Sequence, residues 1–104
     1  MPPDVDPATG LPLALPPERV GDALTDAPDA AGVFLVEPSF VGVLSDLTAI
    51  APIAQSAGAP LVVDQAWGAH LGFHPDLPPH ALAAGADAFV ASAHKTLAAF
   101  TQSA

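Results

Sequence analysis

The chain has 104 residues, 51% of them hydrophobic and 12% charged, and eleven acids against Arg19 and Lys95 give a formal charge of −9. That length allows one domain at most, able to bury about two-thirds of its unfolded surface, and the apolar balance excludes a disordered segment. With no cluster of Lys and Arg, no cysteine, no secretory leader at MPPDVDPATG and prolines interrupting its most apolar window, nucleic acid, disulfides, secretion and membrane spanning are not expected.

Residues 1–16 are rich in Pro, Asp and Gly without a hydrophobic period, and are expected to form an irregular opening segment. Residues 17–104 form the body. Pro16 and Pro17, followed by Glu18, suit a helix start, and Val20, Ala23 and Leu24 recur at helical spacing until Asp26-Ala27-Pro28 ends the pattern. Gly32-Val33-Phe34-Leu35-Val36 is apolar at every position, as expected of a strand covered on both faces of a parallel sheet. Pro38, Ser39 and Gly42 mark a loop after it.

Ser45 or Asp46 can cap a second helix carrying Leu47, Ile50, Ala51 and Ala54. Pro52 either kinks that helix or delays its start to about Ala51. Leu61-Val62-Val63 is a second strand ending on Asp64. A loop to Leu77 follows, and Pro78 with Gly85 brackets an expected third helix over 78–84. The third strand, Ala88 to Ala91, delivers Ser92, His94 and Lys95 past its end. The fold class is therefore α/β, a partial three-layer parallel sheet of about three strands with crossover helices covering its faces.

Ligands of such sheets bind beyond the carboxyl ends of the strands, where Asp64 and Lys95 both fall. Lysine there is a surface tether or an amine ready to attack an aldehyde. An acid on the neighbouring strand changes the balance. A lysine imine and a carboxylate facing a pyridine nitrogen are what a protein contributes to pyridoxal phosphate chemistry. Ser92 can offer a hydroxyl to a phosphate, and His94 can touch the phosphate or the substrate carboxylate. Each can equally serve as an ordinary turn residue. Trp67 walls a pocket or packs in the core. His70 and His74 have metal-pair spacing only on a helix, which Gly72 and Pro75 oppose, so no metal is expected.

The segments VVDQAWGAHLGFHP and GADAFVASAHKTLAAFTQ together resemble the major domain of the Orn/Lys/Arg decarboxylases, closely over 60–103 and loosely over VFLVEPSFVGVLSDL. The resemblance implies a portion of the large domain of the fold type I pyridoxal-phosphate enzymes. It implies that Lys95 is the Schiff-base lysine and, with His94, catalytic. Asp64 would pair with the pyridinium nitrogen and Ala66 would lie against the ring. Ser92 and His94 would hold the phosphate and substrate end, beside Trp67. The implied reaction is decarboxylation of a small cationic amino acid (ornithine, lysine or arginine), in a cytoplasmic enzyme whose full-length members are homo-oligomers. Members are several hundred residues long, so this chain would be part of such an enzyme, without the phosphate-cradling loop, the ring-stacking residue or the C-terminal domain. Rival readings are another fold type I enzyme, such as an aminotransferase, and a catalytically silent fragment.

Overall fold

A computed structural model describes residues 4–104. Helix α1 spans Pro17–Asp26 and strand β1 Val33–Val36, followed by helix α2, Leu47–Ser56, and strand β2, Leu61–Asp64. Strand β3, Ala88–Val90, and a single helical turn α3, Ala93–Thr96, complete the order. The three strands form one parallel sheet in the order β1-β2-β3, with Val36 opposite Asp64 and Asp64 opposite Val90.

Local chemistry explains the helices. Pro17 opens α1, where its missing N–H is no loss. The Asp46 carboxylate caps α2 by accepting the Ala49 N–H at 3.0 Å. Helix α2 starts at Leu47 and runs through Pro52, so it is neither delayed nor broken. The Ser56 hydroxyl donates to the Pro52 carbonyl at 2.7 Å in its last turn.

The expected helix over 78–84 is absent. Residues 81–85 make consecutive turns, held by the bonds Ala84 N–H to His80 O and Ala86 N–H to Ala81 O. Two prolines without N–H groups precede this stretch, and Gly85, at φ +104°, closes it. Little more than one turn fits between them.

Only one face of the sheet is covered, which corrects the expectation of a doubly covered β1. Leu61 and Val63 are fully buried, and Val33, Leu35 and Phe89 pack with them against Val20, Ile50, Ala51, Ala54, Ala81 and Ala84. On the opposite face Phe34 is 63% exposed, and Val36 and Val90 are also open. The cause is topological. Strands added in one direction by right-handed crossovers place every connection on the same side. Helix α2 and the turns before β3 therefore share one core.

Candidate functional site

The carboxyl ends of the strands are where chemistry can gather, and each delivers a polar residue. Asp64 ends β2, half-buried, with its Oδ1 accepting the Ala66 N–H at 2.9 Å. That bond turns the backbone sharply and sends Ala66 and Trp67 across the sheet's end. The Gln65 N–H bonds back to the Val90 carbonyl at 2.7 Å, which locks the ends of β2 and β3 together. Lys95 sits on α3, immediately beyond β3, and its side chain is exposed. Its Nζ stands 5.1 Å from the centroid of the Trp67 ring, within cation–π range.

Asp64, Ala66, Trp67 and Lys95 line one cavity of about 790 Å³, which wraps the free edge of β1 and is bounded on its far side by α1. Ser92 and His94 are not among its lining residues. Ser92 is the residue before α3, and its hydroxyl makes no capping bond. His94 donates from Nδ1 to the Ser103 carbonyl at 2.8 Å, and the Ala93 N–H reaches the same oxygen at 3.0 Å. With the hydrogen fixed on Nδ1, a neutral His94 keeps Nε2 as an acceptor.

His70 and His74 lie on turns. His74 Nδ1 accepts the Asp76 N–H at 3.2 Å, while His70 Nδ1 is buried without a partner. Among the described residues no cluster of His, Cys, Asp or Glu could hold a metal ion, and no helix is long and apolar enough to cross a membrane.

One lining residue escaped the sequence reading. Glu37, directly after β1, is only 4% exposed and lines the same cavity. Its N–H donates to the Asp64 carbonyl at 2.9 Å, and its Oε2 accepts the Ser45 N–H at 2.9 Å. Ser45 Oγ in turn accepts the Leu15 N–H at 2.9 Å. Nothing in a Val-Glu-Pro tripeptide marks a buried acid, since glutamate is mostly a surface residue. The loop returning Ser45 to the strand end creates the environment.

Burial pushes the Glu37 carboxyl above its ordinary value of 4.5, and the hydrogen bonds from Ser45 oppose that shift without cancelling it. For an acid whose folded value is raised, the stability it contributes is complete below the unfolded value. It is lost as pH rises through the folded one. Urea midpoints should therefore fall over the window that starts near pH 4.5 and ends above the elevated value. Glu37→Gln should remove that decline, and an unchanged decline in the variant would contradict the assignment.

Geometry thus defines an α/β chain with an amine and an acid delivered to one cavity by neighbouring strands. The description "Orn/Lys/Arg decarboxylase, major domain" matches residues 5–104, and the chain belongs to that family. It is 40% identical over 101 residues to an arginine decarboxylase of Bacillus subtilis, a match covering 97% of this chain and 21% of that protein. An arginine decarboxylase of Bacillus cereus is 38% identical over 103 residues, covering 99% of this chain and 22% of that protein. The protein YaaO of Bacillus subtilis, described as uncharacterized, is 44% identical over 99 residues, covering 95% and 21%. The chain thus spans about a fifth of the length of the curated relatives it matches. No solved structure matches it.

Proposed function

We propose that this chain is the cofactor-lysine portion of a pyridoxal-phosphate-dependent decarboxylase of a basic amino acid. The observation that carries the reading is that Asp64 and Lys95, from the ends of adjacent strands, line one cavity together with Ala66 and Trp67. The names of two relatives favour arginine within the class of ornithine, lysine and arginine.

The donor set fits the cofactor at two of its three anchoring points. Lys95 supplies the amine for its aldehyde, and Asp64 supplies a carboxylate able to hold a proton on its ring nitrogen. For the phosphate the reading assigns Ser92, whose hydroxyl caps nothing, and the neighbouring His94, although neither lines the cavity. When bound, pyridoxal phosphate supplies an electron sink for the pair released as the substrate's α-carboxylate leaves. The remaining tasks belong to the protein. Ala66 is small enough to lie against a flat ring. Trp67 holds the amine at the cavity wall through its ring face. His94, with its tautomer fixed by Ser103, presents Nε2 as a proton acceptor. A cytoplasmic setting and assembly of longer relatives into homo-oligomers belong to the same reading.

A second reading, a catalytically silent chain, is favoured by the sparse phosphate end. The chain's one arginine, Arg19, is engaged by Asp4 and so supplies no cradle. The two readings separate in one titration. The purified chain mixed with pyridoxal phosphate should gain the visible absorption band of lysine-bound cofactor, and Lys95→Ala should lose it completely. A wild-type chain without the band, or a Lys95→Ala chain that keeps it, would leave the silent reading standing.

A further inference from the structure

Glu37 is an acid without a countercharge. The protein has one arginine and one lysine, and both are engaged elsewhere: Arg19 pairs with Asp4, and Lys95 lies over Trp67. Among the described residues no ion pair reaches Glu37. Its polar neighbour is Ser45, which donates its backbone N–H. Removing a carboxylate from water with no cation to offset the loss costs several kcal/mol as a rule. Such a group is therefore either held neutral or completed by a cation from outside. Burial holds the Glu37 carboxyl above its ordinary pKa for that reason.

The cavity gives a cation a way in. Glu37 lines it together with Asp64 and Lys95, but the three do not share a face of the sheet. Strand alternation puts Asp64 on the open face with Val36, and Glu37 on the packed side with Leu35. A ligand held at Lys95 by one end meets Glu37 only around the edge of β1. A neutral amino acid has no charge to offer that carboxylate. An amino acid whose side chain ends in a guanidinium or ammonium carries one away from its α-carbon.

We propose that Glu37 is a specificity-determining residue whose carboxylate receives the cationic end of a basic amino acid bound in this cavity. The assignment rests on the decarboxylase reading for which end lies at Lys95, and on the buried acid alone for which charge is selected. A charge-assisted hydrogen bond to a guanidinium is the strong kind, so its removal should be visible in affinity. The glutamine side chain can still accept the Ser45 N–H, so Glu37→Gln deletes the charge and keeps the brace.

The test is calorimetric titration of the intact chain with arginine and with citrulline, its uncharged isostere, each with and without pyridoxal phosphate. Wild type should favour arginine by about tenfold or more. Glu37→Gln should bring the two ligands within about twofold of each other, and Glu37→Asp should restore part of the preference. Urea midpoints establish that each variant is folded. A wild type with no preference, or a Glu37→Gln chain that keeps it, overturns the proposal. The cofactor-free arm reads Glu37 alone, whereas loss of the lysine-bound cofactor band in wild type would sink the decarboxylase reading instead.

Discussion

Asp64→Asn should weaken the binding of pyridoxal phosphate by about ten- to a hundredfold, with the lysine-bound band still forming at saturating cofactor. Asp64 is the carboxylate that the proposed reading pairs with a protonated ring nitrogen, and a hydrogen bond to a charged group contributes about 1.5–3 kcal/mol. Asparagine keeps an oxygen that can accept the Ala66 N–H, so the turn into Ala66 and Trp67 should survive. The same substitution leaves Lys95 untouched, which separates it from Lys95→Ala: one shifts the midpoint, the other removes the signal. Spectrophotometric titration gives the dissociation constant directly. An Asp64→Asn chain that binds as tightly as wild type would mean that Asp64 does not meet the ring nitrogen.

Ile50→Ala should cost about 2–5 kcal/mol of folding stability, the range for deleting most of a large buried aliphatic side chain. Ile50 is fully buried and belongs to the cluster that joins α2 to Leu61, Val63, Ala81 and Ala84. Several members of that cluster, Ala51, Ala54, Ala81, Ala84 and Ala86, are alanines, whose short side chains cannot swing into the vacated space. Whole domains are stable by only about 5–15 kcal/mol. Loss on this scale should therefore shift the urea midpoint strongly or unfold the chain. Pro52→Ala on the exposed side of the same helix serves as the comparison, since it opens no cavity. Equal midpoints for Ile50→Ala and wild type would show that Ile50 does not belong to the core.

How much of this was legible in the sequence follows from which forces act locally. The capping Asp46, the proline at the start of α1 and the runs that became β1 and β2 all act within a few residues, and they read correctly. The crossover that brings Asp64 beside Val90 follows from chain direction and handedness, so the meeting of the acid with the lysine segment was also open to inference. Three features were not. The run VFLV looks buried on both faces because composition cannot report which side the connections take. The stretch from Pro78 to Ala84 carries helix-forming alanines, but Gly85 and the paired prolines confine it to turns. Glu37 owes its burial to Ser45 and to the segment around Leu15, and so to contacts that no short motif encodes.

The alternation that hides Val63 turns Asp64 toward the uncovered side of the sheet, beside Val36 and Val90. Water reaches that side, and in a medium of high dielectric constant a charge pair loses most of its attraction. On the proposed reading, the pairing of Asp64 with a ring nitrogen would then depend on what shields the plane formed by Phe34, Val36 and Val90. Three hydrocarbon side chains would thus bear on an electrostatic interaction in which they take no direct part.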